Sequence, residues 1–285
     1  TNTQVTYTLS ETCQSGSITW NRTGGAADAG SPHAQALTGL ELTAGTKTNM
    51  TLASPPALVA GTIYDITWNC TDMAGRTATA VTTTGVTFDN VAPVISGVAP
   101  LDSAFINTAA VSYTLSENCA SASITWTRTG GSTDGASPHA KALVGAELNA
   151  GTKTNIIIAN NPTLVDGAVY SVAFACSDAA GNNAAPVTRT NITFDPSAVV
   201  ISGVTPTSSS FRNTTDVAYN FSEACYSGTV TWTRTGGATD GASPHVVTLV
   251  GAELDPGPHG PAPLANNPAR VDGASAWQTF WGVVF

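Results

Sequence analysis

Across residues 93–198 apolar and polar positions alternate: Val111, Tyr113 and Leu115 share one face of an extended segment, and Ile124 and Trp126 share another. Ile156 and Ile158, then Tyr170, Val172 and Phe174, then Ile192 and Phe194 continue the pattern. A period of two marks a half-buried strand, because successive side chains of an extended backbone point to opposite faces. No stretch sustains the i, i+3, i+4, i+7 spacing of an amphipathic helix. Between the alternating segments stand TGGSTDGASP, NNPTLVDG and DAAGNN, rich in the residues that favour turns. About seven strands in a segment of this length predict an all-β fold, an antiparallel sandwich.

The pattern recurs with a period of 106 residues. ITWNRTGG at 18–25 returns as ITWTRTGG at 124–131 and VTWTRTGG at 230–237, SPH at 31–33 returns at 137–139 and 243–245, and VISGV at 94–98 returns at 200–204. A unit of this size is a compact domain, too long for one turn of a solenoid. The frame divides the chain into residues 1–92, 93–198 and 199–285. Only the middle repeat is complete. The first has nothing to match PVISGVAPLDSAFINT and is expected to lack its first strand. The third follows the pattern to about Ala274 and then reads SAWQTFWGVVF, with Trp277, Trp281, Val283 and Phe285 on alternate positions. Two explanations fit these ends: a strand from one subunit completes its neighbour's first domain and builds a head-to-tail filament, or the sequence is a window on a longer chain of neighbouring repeats.

Cysteine spacing adds a second regularity. Cys13 and Cys70 stand 57 residues apart, as do Cys119 and Cys176, and within the middle repeat both cysteines fall on inward-facing positions. A disulfide joining the two sheets of an immunoglobulin-like sandwich explains this, and so do two buried reduced thiols. A bridge closing so long a loop would contribute on the order of 4 kcal/mol and would imply an oxidising compartment. The register places the partner of Cys225 at position 282, which is Gly282, so Cys225 is expected to be unpaired.

The segment Tyr170-x-Val-x-Phe-x-Cys-x-Asp178-Ala-Ala-Gly181-Asn182, followed by NITFD, and the FDN–VAP–VISGV junction resemble the tandem immunoglobulin-like repeats of large bacterial surface adhesins. The resemblance implies tandem immunoglobulin-like antiparallel β-sandwiches forming an extracellular stalk or adhesive array at the cell surface. The paired cysteines depart from most such repeats.

Composition narrows the function. Asp, Glu, Lys and Arg make up 10% of the chain, against roughly 25% in an ordinary soluble domain, so Thr, Ser, Asn, Ala and Gly must build much of the surface. Ten basic against 19 acidic residues give a net charge of −9, without the basic footprint that nucleic acid binding requires. No apolar run reaches the ~18 residues of a membrane span, and the first residues do not form a signal peptide. With 42% hydrophobic residues the chain can build cores. Lysine occurs only at 47, 141 and 153.

Chemistry-bearing residues are few. His33, His139 and His245 repeat in the SPH loops, but the sequence has neither G-x-S-x-G nor H-E-x-x-H, so an enzyme is not expected and these histidines read as structural. Trp20, Trp126 and Trp232 each follow a cysteine by seven residues and read as core tryptophans packed on the bridge; as a carbohydrate-stacking platform they would have to be exposed. Arg22, Arg128 and Arg234 lie two positions further on, at strand ends where a carboxylate such as Glu147 offers a partner. In a head-to-tail string, Asp89 at the end of one repeat faces Glu117 and Asp178 of the next, with Asp195 and Glu223 equivalent at the second joint. Gathered carboxylates are hard ligands for calcium, or else turn caps facing water. Asn-x-Ser/Thr sequons at Asn21, Asn49, Asn191, Asn213 and Asn220 vary in place between repeats, and Asn69 begins Asn-Cys-Thr. The expected function is a rigid, non-enzymatic stalk or filament module, with a ligand- or carbohydrate-binding adhesin module as the alternative.

Overall fold

Turn-rich segments break the chain into short strands, which pair side by side into layers. The structure, a computed structural model, describes residues 4–266. The chain divides into two compact units, Thr1–Pro196 and Ser197–Phe285. The first contains two repeats with separate cores, and the second contains the third repeat.

The first repeat has strands β1 (Gln4–Leu9), β2 (Cys13–Gly25), β3 (His33–Ala36), β4 (Gly45–Thr51), β5 (Thr62–Asp72) and β6 (Val81–Phe88). β1 pairs with β4 in one layer, and the other layer has the order β3-β2-β5-β6. In the second repeat, β7 (Ile95–Ala99), β8 (Phe105–Ile106), β9 (Val111–Leu115), β10 (Ser121–Gly131), β11 (His139–Ala142), β12 (Gly151–Ile156), β13 (Ala168–Ser177) and β14 (Val187–Phe194) form layers ordered β12-β9-β7 and β11-β10-β13-β14-β8. The pairing is antiparallel except for β14 with β8, a two-residue parallel contact that the alternation does not reveal. The second unit has β15 (Ile201–Thr205), β16 (Val217–Phe221), β17 (Thr229–Trp232), β18 (His245–Thr248) and β19 (Gly257–Ala262), ordered β15-β16-β19 and β17-β18. Residues 277, 281, 283 and 285 lie outside the described residues.

Alternation becomes burial in the second repeat. Val111, Tyr113 and Leu115 of β9 and Tyr170, Val172 and Phe174 of β13 are all at most 3% exposed. The register Ile124↔Phe174, Trp126↔Val172 brings the inward faces of β10 and β13 side by side. Trp126 is fully buried, with its ring edge-on to Tyr170 at 6.1 Å. Trp20 and Trp232 are buried in the equivalent clusters.

Both predicted disulfides are present, Cys13–Cys70 and Cys119–Cys176, with Cα atoms 5.9 and 5.8 Å apart. Their placement differs from a sheet-to-sheet bridge. Cys13 opens β2, in the same layer as Cys70, and Cys119 lies on the crossing from β9 to β10. The bond therefore ties the crossover between layers to the larger sheet. The tryptophan is also not packed where the bridge sits: Cys176 is opposite Ala122, whereas Trp126 lies four residues along the strand, against Tyr170. Cys225 is a free, half-buried thiol against the third core.

Two local devices repeat. A single 3-10 turn at Gly145–Leu148 is closed by Glu147, which accepts from the Val144 and Ala159 amides at 2.8 and 2.6 Å while its carbonyl accepts from Tyr113. Glu41 and Glu253 do the same in the other repeats. Glu147 is thus committed to its own turn and does not meet Arg128. Beside it, Lys47 curls back to donate to the carbonyls of Thr43, Ala44 and Gly45, and Lys153 to those of Asn149, Ala150 and Gly151.

Candidate functional site

The joint between the first two repeats gathers the most chemically distinctive side chains. β6 ends at Phe88 and β7 begins at Ile95, so Asp89 leaves the first sandwich directly over the turns of the second. There the ligand atoms of Asp89, Glu117 and Asp178 lie within 4.8 Å of one another. Asp178 is buried, and Asp89 and Glu117 are half-buried.

The turn after β13 fixes Asp178. Its Oδ1 accepts from the Asn182 amide at 2.8 Å, its Oδ2 accepts from the Asn182 side chain at 2.8 Å, and the same Asn182 amide group donates to the Asp89 carbonyl at 3.2 Å. One side chain thus holds a carboxylate of the second repeat and the backbone of the first. Burial raises the Asp178 pKa, but hydrogen bonds from Asn182 and the turn amides outweigh it and the net shift is downward. Glu117 moves the other way: burial raises its pKa and the charges of Asp89 and Asp178 add to the rise.

Hard carboxylate oxygens held this closely repel one another, an arrangement that a divalent cation with oxygen preference relieves. The set fits calcium by its chemistry, with three carboxylates presented by a short inter-repeat linker and two turns. Asp195 and Glu223 fall in separate units, and each is half-buried in its own.

The first repeat presents a different version of this face. Asp72 and Glu11 occupy the positions of Asp178 and Glu117, but Arg76 stands where Asn182 does, its Nε 2.7 Å from Asp72 Oδ2. Hydrogen bonds from the Arg76 backbone and side chain hold the Asp72 carboxyl below its usual pKa against the opposing effect of burial.

Next to Arg76 lies a groove of about 590 Å³, lined among others by Tyr7, Leu9, Trp68, Ala78 and Val81. It follows the outer edge of β1, which has no strand partner among the described residues. In the second repeat the matching edge of β9 is occupied by β7, in the register Ile95↔Leu115, Ser96↔Thr114, Ala99↔Ser112. There Tyr113 and Phe174 are buried, whereas Tyr7 and Trp68 are half-buried and Val81 is 63% exposed.

The repeated histidines are anchored inside each repeat. His139 Nε2 lies 2.6 Å from Asp134 Oδ2, and Tyr170 donates to that oxygen at 2.8 Å. Hydrogen bonds from His139 and Tyr170 hold the Asp134 pKa down at about 2, so the ionised carboxylate only accepts and Nε2–H donates. Asp28 with His33 and Tyr64, and Asp240 with His245, repeat the pairing. The sequence reading missed these aspartates, although Asp stands five residues before each of the three histidines. Arg128 donates to the carbonyls of Ser132 and Gly131, clamping its own loop.

No family model and no curated protein sequence matches the chain. Among solved structures, the chain is similar to a tetra-tandem repeat in the extending region of a large adhesion protein, at 20% identity and a TM-score of 0.28. The similarity covers 89% of this chain and 60% of that one.

Proposed function

We propose that the chain is a non-enzymatic structural module of the cell exterior, a spacer of tandem immunoglobulin-like sandwiches within a surface adhesin or fibre. The observation that carries this reading is the joint: a short linker leads from β6 to β7, and Asn182 hydrogen-bonds back across it to Asp89. A connection with so little slack passes the orientation of one sandwich to the next. Calcium held by Asp89, Glu117 and Asp178 stiffens it further. The two disulfides support an oxidising compartment. Stacking on sugars needs exposed rings, and Trp20, Trp126 and Trp232 are 1%, 0% and 8% exposed, which favours the spacer over a carbohydrate-binding module.

The unpaired edge of β1 extends the proposal. In this reading the edge takes a strand as β9 takes β7 in the second repeat, supplied by a neighbouring subunit through strand complementation or by a neighbouring repeat of a longer chain.

Length is then the quantity that function acts on. Inserting a further copy of residues 93–198 after residue 198 is expected to lengthen the particle in electron micrographs by one sandwich. A particle of unchanged length would overturn the spacer reading.

A further inference from the structure

We infer that the second repeat is built to carry tension along the chain, with β8 and β14 as the clamp that resists it and Cys119–Cys176 as the stop that limits extension once the clamp yields. Tension is what a spacer would transmit, so this rests on the spacer reading.

Direction of pull decides how a strand pair fails. The chain enters the repeat through β7 and β8 and leaves it through β14. β8 and β14 are neighbours and parallel, in the register Thr193↔Phe105, Phe194↔Ile106. A pull from both sides therefore drags β8 back towards its amino end and β14 forward towards its carboxyl end, in opposite directions along one shared axis. Bonds that cross between such strands are loaded together and must break together. In an antiparallel hairpin pulled at its open ends they would open one at a time.

Crossing bonds extend well beyond the two paired residues. The Ser103 amide donates to the Thr190 carbonyl at 2.9 Å, the Thr193 amide to the Ala104 carbonyl at 2.9 Å and the Asp195 amide to the Ile106 carbonyl at 2.8 Å. Asp102 closes one end of the row. Its Oδ1 accepts from the Thr190 amide at 2.7 Å and the Thr190 hydroxyl at 3.3 Å, and its Oδ2 accepts from Arg189 at 3.2 Å. Bonds to an ionised acceptor are stronger than neutral ones. Residues 102–106 are thus fastened to residues 189–195.

The disulfide encloses the strands that the pull does not reach first. β7 and β8 precede Cys119 and β14 follows Cys176, so both pulled strands lie outside the closed loop, whereas β10, β11 and β12 lie within it. Once the clamp yields, force passes directly from Cys119 to Cys176. Of the 106 residues in the repeat, the 57 spanned by the bond stay locked and 49 can extend, about 170 Å of chain at full stretch. The same bond holds β10 and β13 together where Ala122 faces Cys176.

The test holds the full chain by its two ends in an optical trap at constant force, with urea unfolding measured alongside. The middle repeat is recognised by its step of 49 residues. Asp102 is 51% exposed, so Asp102→Ala leaves the core intact. It is expected to speed unfolding under force about tenfold. Ile158→Val, at a buried position that makes none of the crossing bonds, lowers stability in urea and leaves the rate under force nearly unchanged. Reducing the disulfide lengthens the step by the 57 locked residues, about 200 Å. If Asp102→Ala and Ile158→Val each change the rate under force only as far as they change the rate in urea, the clamp is overturned. A step that reduction leaves unchanged overturns the stop. A chain that lengthens when a repeat is inserted, but whose middle repeat opens without resistance, keeps the spacer reading and loses the tension reading.

Discussion

One carboxylate oxygen of Asp134 serves both His139 and Tyr170, and this shared acceptor fastens the loop between β10 and β11 to β13. Because the folded pKa lies below the ordinary value, the stabilisation is complete above the unfolded pKa and is lost as pH falls from about 4 through about 2. Melting temperature, measured by circular dichroism, is therefore expected to be level near neutrality and to drop across that acid window. Asp134→Asn lowers it by several degrees at neutral pH and flattens the acid drop. Gly131 offers a second residue-level test. At φ +64° a Cβ there would sit 2.1 Å from the Gly167 carbonyl oxygen, so the close approach of backbone to backbone requires glycine. Gly131→Ala is expected to cost about 1–3 kcal/mol in urea unfolding. The aspartate was open to reading from its fixed offset to each histidine. Its oxygen-sharing was not, because Tyr170 approaches from 36 residues away, through the packing of β13.

At the level of strands, period-two alternation was a sufficient guide wherever one face is buried, since a slip of one residue would turn Val111, Tyr113 and Leu115 to water. It failed for β8, which is two residues long and carries no period. Inward parity of the cysteines pointed to the bonded pairs but not to the anchoring segment, because parity reports direction and Cys119 has already left β9 when it meets Cys176. Replacing both Cys119 and Cys176 with Ala is expected to lower unfolding free energy by about 4 kcal/mol in guanidinium titration, the scale set by a loop of this length.

For the whole molecule, the acidic gathering at the first joint followed from placing sandwiches end to end: the close of one strand had to meet the turns of the next. Asn182 bonding to both sides was beyond the sequence reading, which had no means of orienting an amide across a joint. If calcium occupies the site, adding it to chelator-treated protein raises the melting temperature and increases the hydrodynamic length, while Glu117→Gln with Asp178→Asn removes both responses. Equal values with and without chelator would take calcium out of the account.

The curled lysines bear on how the molecule can be handled. Two of its three side-chain amines, those of Lys47 and Lys153, are occupied by carbonyls two to four residues earlier in the chain. Lys141, half-buried on β11, has no such cage. An acylating reagent used sparingly is expected to mark Lys141 first, as peptide mass mapping would show. Coupling to a bead or grid through lysine would then grip every copy by the middle repeat and present them all in one orientation.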